Sequence, residues 1–251
     1  MKRAIVAYSG GIHDAVPHGD RLLLEDGRLV FEADVVWLPP VVPTKIFAVG
    51  LNYADHAKEL SFQAPKEPLV FLKGRNSLIG HRGTTRRPAD AEYMHYECEL
   101  AVVIGKTARN VPRERAYEFI GGYTVANDYA IRDYLENYYR PNARVKSRDG
   151  GTPLGPWLVD AADVADPMNL TIRTFVNGKK TQEGSTRDMI FDVPMLVEYL
   201  SAICTLVPGD LILTGTPEGL ADTKVGDEVL TEVEGIGRLI NYIGSDKDFG
   251  I

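Results

Sequence analysis

Residues 95–105 have the sequence HYECELAVVIG, in which a polar start runs into a continuous apolar stretch. A run of this length and composition predicts a β-strand. Successive side chains of a strand point to opposite faces, so Glu97 and Glu99 share one face and Cys98 lies on the other. The segment therefore predicts a strand that carries two carboxylates on the same side, with His95 just ahead of them.

Strand-like segments of the same kind recur along the chain, whereas helical patterns are few. Apolar or β-branched runs, bounded mostly by Gly, Pro, Asn or Asp, predict strands over residues 46–49, 69–72, 97–104, 122–127, 169–176, 211–214, 228–233 and 238–243. Asn177-Gly178 predicts a hairpin turn. Because the strands do not alternate with long helices, a doubly wound parallel sheet and a (β/α)₈ barrel are disfavoured. The predicted fold class is mixed α/β and predominantly β.

Three short helices are predicted, over residues 54–60, 131–139 and 193–203. The third has the clearest start. Asp192 can accept hydrogen bonds from the first free amides of that helix, and Pro194 falls in its first turn, where a missing N–H costs nothing.

The N-terminal part of the chain, residues 1–44, is predicted to form a small β unit followed by a linker. Between residues 22 and 31, Asp26-Gly27 separates two apolar runs, as in a two-residue hairpin turn with positive φ. The prolines that follow cannot donate ladder hydrogen bonds, and they favour an extended linker over residues 37–44. Residues 45–251 are predicted to form the main domain.

The composition limits the classes of partner. The chain has 251 residues, of which 44% are hydrophobic and 25% charged, as in an ordinary globular protein. Its formal net charge of −7 provides no basic field for a phosphate backbone, which argues against nucleic acid as a partner. No apolar run approaches the roughly 20 residues that a membrane helix needs, so no membrane association is predicted. Cys98 and Cys204 are isolated in sequence, which favours a reducing, cytoplasmic location.

Asp128 is a third acidic residue in a comparable position, because it follows the strand predicted over residues 122–127. If it meets Glu97 and Glu99, the three carboxylates suit a hard divalent cation such as Mg²⁺ or Mn²⁺, with positions left for water or substrate. No soft ligand in this set selects zinc or copper. Each residue also has an ordinary explanation: glutamate pairs are common at exposed strand ends, and an aspartate here can cap a helix or form a turn.

Two further groups of residues could act on a substrate. His56 and Glu59 are three residues apart in the first predicted helix and share a face, so the carboxylate can orient the imidazole as a general base. Lys146 and Arg132 could bind an anionic group. An exposed polar helix would carry the same His–Glu pair, and single basic side chains most often lie on the surface.

The segment GDLILTGTPEG, residues 209–219, is a predicted strand that runs into a loop rich in Gly and Thr. The backbone N–H groups and the hydroxyl around Gly215 and Thr216 could receive a carboxylate. A glycine-rich loop of this kind can equally be only a turn.

Seven short motifs, found in this order, resemble those of the fumarylacetoacetate hydrolase family. They lie at residues 52–56, 67–69, 71–73, 96–100, 127–128, 146–147 and 214–217, and the resemblance runs from about residue 45 to residue 243. It implies a β-roll or β-sandwich fold with a few short helices, a Mg²⁺ or Mn²⁺ cofactor and a homodimer. It assigns metal binding to Glu97, Glu99 and Asp128, catalysis to His56, Glu59 and Lys146, and substrate binding to Arg132, Tyr139, Gly215 and Thr216.

Within the family, residues 93–97, 127–142 and 144–150 resemble the members that act in homoprotocatechuate (4-hydroxyphenylacetate) catabolism. Those members remove CO₂ from 5-oxopent-3-ene-1,2,5-tricarboxylate and isomerise 2-hydroxyhepta-2,4-diene-1,7-dioate. The resemblance implies a small 2-oxo di- or tricarboxylate substrate, and it implies that this chain is the C-terminal half of such an enzyme as a separate subunit, with room for a partner subunit from the same pathway. Two alternatives stay open: an acylpyruvate hydrolase of the fumarylpyruvate type, which cleaves a C–C bond, and a non-catalytic binding protein on the same fold.

Overall fold

The fold is built on one twelve-stranded and one five-stranded sheet, with a two-stranded ladder beside them. The structure is a computed structural model that describes residues 1–59, 63, 65–135 and 143–251. Within these residues the strands are β1 (Lys2–Tyr8), β2 (Gly11–His18), β3 (Arg21–Leu24), β4 (Leu29–Phe31), β5 (Val36–Leu38), β6 (Ile46–Gly50), β7 (Leu69–Lys73), β8 (Leu78–Ile79), β9 (Thr84–Arg86), β10 (Met94–His95), β11 (Cys98–Ile104), β12 (Ile120–Asn127), β13 (Ala130–Ile131), β14 (Thr152–Asp160), β15 (Thr171–Val176), β16 (Lys179–Ser185), β17 (Leu211–Leu213), β18 (Glu228–Val233) and β19 (Gly237–Gly244).

Helices are short and few. The α-helices of the described residues are α1 (Ala54–Glu59), α2 (Ala143–Lys146) and α3 (Val193–Ile203). Single 3₁₀ segments lie at Glu32–Asp34, Arg75–Ser77, Arg113–Phe119, Arg132–Tyr134, Ala161–Asp163, Thr186–Asp188 and Asp246–Phe249. The predicted fold class, mixed but predominantly β, is confirmed. No helix in the described ranges is long and apolar enough to cross a membrane.

The large sheet has the strand order β4-β3-β2-β1-β14-β12-β11-β17-β6-β7, with β5 paired to β1 and β8 paired to β14. β11 lies in its interior, antiparallel to both β12 and β17, and all seven of its residues are buried. A strand covered on both faces does not need alternating polar residues, which explains its continuous apolar run. All eight predicted strands are found, with ends that differ by a few residues at most.

The five-stranded sheet, β16-β15-β18-β19-β9, packs over the large sheet and forms the main core with it and with α3. This core holds Leu100 and Val102 of β11, Ile172 of β15, Leu196 of α3 and Leu239 of β19. The hairpin of β15 and β16 forms one edge of this sheet. Its two-residue turn, Asn177-Gly178, has positive φ at both positions, as predicted.

The N-terminal strands continue the large sheet, because β1 pairs with β14 through Lys2↔Val159 and Arg3↔Leu158. They also have a small apolar cluster of their own around Leu22 and Trp37. The predicted division of the chain at residue 44 stays a prediction.

The hairpin between β3 and β4 differs from the prediction in the length of its loop. Leu24 N–H donates to the carbonyl of Arg28 at 2.9 Å, which leaves three residues in the loop rather than two. Gly27 has φ +86°, so the expected positive φ is present. The predicted two-residue turn is wrong.

The helix predicted over residues 131–139 is wrong in its described part. Ile131 belongs to β13, which pairs with β10, and Arg132–Tyr134 forms a single 3₁₀ turn. The carboxylate of Asp133 accepts the backbone N–H groups of Glu92 and Tyr93, which lie 41 and 40 residues away in sequence, so long-range bonding takes the place of a continued helix. Residues 136–142 lie outside the described residues.

The other two predicted helices are present. α1 covers Ala54–Glu59, and its last predicted residue, Leu60, lies outside the described residues. α3 begins as predicted, with Asp192 Oδ1 accepting the N–H of Met195 at 2.9 Å.

β14 is a long strand that the sequence pattern did not predict. It contains Pro153 and Pro156, and proline is normally a sign against an interior strand. The register between β12 and β14 shifts between Tyr123 and Val125, and Pro156 falls opposite this irregular stretch, where its missing N–H breaks no regular ladder pair.

His81 makes the stability of the fold depend on pH. Its buried ring contacts Trp37 edge-on, and its Nδ1 accepts the N–H of Ile240 at 3.1 Å. Burial, helped by the charge of Arg82, lowers the pKa of His81 to about 4. An unfolded histidine titrates near 6.5, so the unfolded chain binds more protons between pH 6.5 and 4, and stability falls as the pH falls through this window.

We expect His81 to account for about 2 kcal/mol of the stability lost between pH 7 and pH 5. Urea denaturation at the two pH values measures this loss. The matched variant is His81→Asn, whose side-chain oxygen can still accept the Ile240 amide but does not titrate. Equal losses in both proteins would show that other groups carry the pH dependence.

Candidate active site

Three carboxylates converge where β11 begins and β12 ends. Cys98 of β11 pairs with Asn127 of β12, which places Glu97 next to Asp128, and Asp128 N–H donates to the Glu97 carbonyl at 2.9 Å. One oxygen from each of Glu97, Glu99 and Asp128 lies within 4.8 Å of the other two, and all three residues are buried. The antiparallel pairing therefore brings together the acids that the sequence singled out.

The three negative charges perturb one another. Burial, followed by the charges of Asp128 and Glu97, raises the pKa of Glu99 well above its ordinary value. Burial alone would also raise the pKa of Glu97, but the charges of Lys146 and Arg132 outweigh it and lower that pKa. A buried carboxylate needs a positive charge nearby to stay ionised.

Two buried lysines supply that charge. Lys146 Nζ donates to Glu97 Oε2 at 2.6 Å and to Asp128 Oδ2 at 3.0 Å. Lys73 Nζ donates to Asp128 Oδ1 at 2.5 Å and to the backbone carbonyl of Lys146. Burial lowers the pKa of Lys73, whereas the charges of Asp128 and Glu97 outweigh burial and raise the pKa of Lys146. Lys146 was predicted for the site, and the structure places it there.

Sequence reasoning missed Lys73 as a site residue. It ends the apolar edge strand β7, and its side chain is fully buried. The available signal was its place in the motif at residues 71–73, where a lysine closes an otherwise apolar strand.

Arg132, in the 3₁₀ turn that follows β13, reaches one of these carboxylates, Glu97. Its Nη2 lies 3.7 Å from Glu97 Oε1, and its Nε–H donates to His95 Nε2 at 2.7 Å. Burial, with the charges of Arg132 and Lys146, lowers the pKa of His95 well below its ordinary value. Arg132 thus lies beside Glu97 and His95, and its predicted binding of an anionic substrate group stays a prediction.

His56 and Glu59 form the contact that their spacing predicted. His56 Nδ1 lies 3.1 Å from Glu59 Oε2. The other oxygen of Glu59 accepts the backbone N–H groups of Gly219 and Leu220 at 3.1 and 3.2 Å. Burial would raise the pKa of Glu59, but the bond from His56 and the two amides outweigh it and lower that pKa. Because a carboxylate only accepts, neutral His56 carries its proton on Nδ1 and leaves Nε2 free to take another.

The loop after β17 contacts the carboxylates through Gly215, whose N–H donates to Glu99 Oε2 at 2.6 Å. Gly215 has φ +89°, and a Cβ there would lie 2.9 Å from the Cβ of Asn52, so only glycine fits. Thr216 Oγ1 accepts the side-chain N–H of Gln182 at 2.9 Å. The Gly215 amide thus already has an acceptor, and the predicted binding of a substrate carboxylate by Gly215 and Thr216 stays a prediction. Tyr139 lies outside the described residues.

The donor set fits a hard divalent cation. All three side chains offer carboxylate oxygen, and the thiol of Cys98 points away, toward the carbonyl of Glu232. In the part of the chain that the structure describes, this is the one cluster of three acidic, histidine or cysteine side chains with metal-ligand spacing. Three clustered carboxylates outnumber the two lysine ammonium groups that contact them, and a dication held among them would reduce their mutual repulsion.

Comparison with known proteins agrees with this geometry. The family model described as "Fumarylacetoacetate (FAA) hydrolase C-terminal" matches residues 45–244. The chain belongs to the fumarylacetoacetate hydrolase family. The resemblance seen in the seven motifs is confirmed.

Among family members, the 4-hydroxyphenylacetate degradation bifunctional isomerase/decarboxylase of Salmonella dublin is 64% identical over 198 residues. The match covers 79% of this chain and 46% of that protein, so the chain spans about half the length of this curated relative.

Two solved structures are similar to this chain over most of their length. The 5-carboxymethyl-2-hydroxymuconate delta-isomerase of Mycobacterium smegmatis has 41% identity and a TM-score of 0.87, with 98% of this chain and 99% of that chain covered. The fumarylpyruvate hydrolase of Pseudomonas aeruginosa, solved with Mn²⁺ and pyruvate, has 32% identity and a TM-score of 0.76, with 82% and 91% covered.

Mn²⁺ should raise the melting temperature of the wild-type protein, because a ligand of the folded state alone stabilises it, by about 2.7 kcal/mol at a hundred times Kd. Asp128→Asn should lose most of this shift, since it removes one charged ligand. Differential scanning calorimetry with Mn²⁺ and with chelator measures both. Asp34→Asn, at an exposed aspartate, is the control that should keep the wild-type shift. An undiminished shift in Asp128→Asn would contradict the assignment.

Proposed function

We propose that this chain catalyses the metal-dependent decarboxylation of 5-oxopent-3-ene-1,2,5-tricarboxylate, the isomerisation of 2-hydroxyhepta-2,4-diene-1,7-dioate, or both, in 4-hydroxyphenylacetate catabolism. The observation that carries the proposal is the buried cluster of Glu97, Glu99 and Asp128 with Lys146 and Arg132 beside it. The 64% identical relative, named as a bifunctional isomerase/decarboxylase of this catabolism, supports the choice of reaction.

A Mg²⁺ or Mn²⁺ ion held by Glu97, Glu99 and Asp128 would supply a Lewis acid that stabilises negative charge on the 2-oxo oxygen of the substrate. Lys146 has its ammonium beside two of these carboxylates, and we assign to it the stabilisation of the same developing charge. Arg132, whose side chain is one-fifth exposed, would bind an anionic group of the substrate.

Proton transfer is the role of His56. Its Nε2 is free to accept a proton, and Glu59 holds the ring in the tautomer that leaves it so. Removing the proton of the 2-hydroxyl group of 2-hydroxyhepta-2,4-diene-1,7-dioate gives a dienolate, and returning a proton to one of its carbons completes the isomerisation. Loss of CO₂ from the tricarboxylate also leaves a dienolate, which needs only the return of a proton. One pair of residues can therefore serve both reactions.

A second candidate is an acylpyruvate hydrolase, which the similarity to the fumarylpyruvate hydrolase structure favours. In that reaction His56 and Glu59 would activate a water molecule for C–C cleavage. A non-catalytic binding protein is the weakest candidate, because the described acidic and basic side chains of the site are all present and in contact. The homodimer, the partner subunit and the cytoplasmic location stay predictions.

Product analysis with Mg²⁺, with Mn²⁺ and with chelator tests the proposal. We expect CO₂ from the tricarboxylate, an isomerised dienedioate, or both, with either ion, and neither product with chelator. Release of two carboxylate products from fumarylpyruvate, with the tricarboxylate untouched, would favour the hydrolase instead.

His56→Ala should lower kcat by about 10²–10⁴-fold, since it removes the proposed base. Because His56 is not a proposed metal ligand, its Mn²⁺ affinity, measured by titration calorimetry, should stay at the wild-type value. His18→Ala, which alters an exposed histidine, is the matched control and should keep full activity. Wild-type turnover in His56→Ala would remove this residue from the mechanism.

A further inference from the structure

His95 is a fully buried histidine whose two ring nitrogens both have partners. Its Nδ1 lies 3.1 Å from the backbone carbonyl of Tyr96, and its Nε2 lies 2.7 Å from Nε of Arg132. The carboxylate oxygen Oε1 of Glu97 lies 3.7 Å from Nδ1. His95 takes no part in the reaction proposed above.

These partners define which nitrogen carries the proton. A carbonyl oxygen only accepts, so Nδ1 must be the N–H donor toward Tyr96. The Nε of an arginine only donates, so Nε2 of His95 must present its lone pair to Arg132. The contacts thus require the neutral Nδ1–H tautomer. Its Nε2 is an acceptor aimed at a cation, which makes a strong, charge-assisted hydrogen bond.

Arg132 is held at its backbone by the two-stranded sheet and at its side chain by His95. Ala130 and Ile131 pair with His95 and Met94 in the two-stranded sheet, and the backbone N–H of Arg132 donates to the Tyr93 carbonyl at 2.9 Å. With its backbone fixed there and its Nε fixed by the imidazole, the plane of the guanidinium is set. Its Nη2 then lies 3.7 Å from Oε1 of Glu97.

We propose that His95 is a positioning residue that fixes the guanidinium of Arg132 for binding an anionic substrate. A free arginine side chain has many rotamers, and holding it in one removes an entropic cost from substrate binding. His95 itself touches no substrate in this proposal. The proposal rests on the substrate-binding role of Arg132 given under the proposed function.

The first test does not depend on activity. In protein labelled with ¹⁵N at histidine and arginine, we expect His95 in the Nδ1–H tautomer, together with a slowly exchanging Arg132 Nε–H signal. His95→Gln and Arg132→Lys assign the two signals by their effects on them. An Nε2–H tautomer, a charged ring, or a rapidly exchanging Arg132 Nε–H in the wild type would overturn the proposal.

The second test separates positioning from a merely structural role. In His95→Leu we expect KM for the turned-over substrate to rise about ten- to hundredfold, while kcat and the Kd for Mn²⁺ change less than about threefold. His95→Gln, whose side-chain carbonyl can accept from Arg132, should recover most of the KM. The double variant His95→Leu/Arg132→Ala should be no worse than Arg132→Ala alone.

The outcomes are distinct. A wild-type KM in folded His95→Leu, or additive losses in the double variant, would overturn the proposal. If His95→Leu does not fold, the decision passes to the Arg132 Nε–H signal of the wild type: slow exchange supports the proposal, and fast exchange overturns it. If the wild type turns over neither compound, the proposed function fails, and the two NMR signals alone decide whether His95 holds Arg132.

Discussion

The structure depends on burying three neighbouring carboxylates, Glu97, Glu99 and Asp128, side by side. Like charges at this separation repel strongly when the surroundings are poorly polarisable, so Glu97, Glu99 and Asp128 can share the site only if positive charge lies among them. Lys73 and Lys146 provide part of that charge from two different segments, and Lys73 also holds the backbone of Lys146 in place. This balance makes a shared dication the natural completion of the cluster.

The large sheet holds the acidic residues of this cluster in fixed positions. β11 has strands on both sides, and its apolar residues lie in the two cores that flank the sheet, so the glutamates at its start cannot drift apart from the end of β12. Gly215 approaches Glu99 closely because it has no side chain, and Asn52 fixes the adjoining backbone through the Thr214 carbonyl. A site made on paired strands in this way is preorganised before any ligand arrives.

Local sequence patterns predicted the structure correctly where a single strand or turn determines it. The alternation at Glu97 and Glu99 and the turn at Asn177-Gly178 are examples. They failed where the partner is remote. Lys73 meets Asp128 across 55 residues of sequence and His95 meets Arg132 across 37, and neither separation leaves a periodic signal. The strand β14 was missed because of its prolines, and the helix over residues 131–139 was wrongly predicted. In both cases tertiary pairing overrode the local preference.

Glu59 uses one oxygen for His56 and the other for the amides of Gly219 and Leu220, so the imidazole and this stretch of backbone share a single anchor. Any displacement of residues 219–220 that breaks the amide contacts would increase the proton affinity of Glu59. A more basic carboxylate is also a stronger hydrogen-bond acceptor, so its bond to the imidazole N–H would change with it. Loop position and the readiness of the histidine to exchange a proton are therefore mechanically linked.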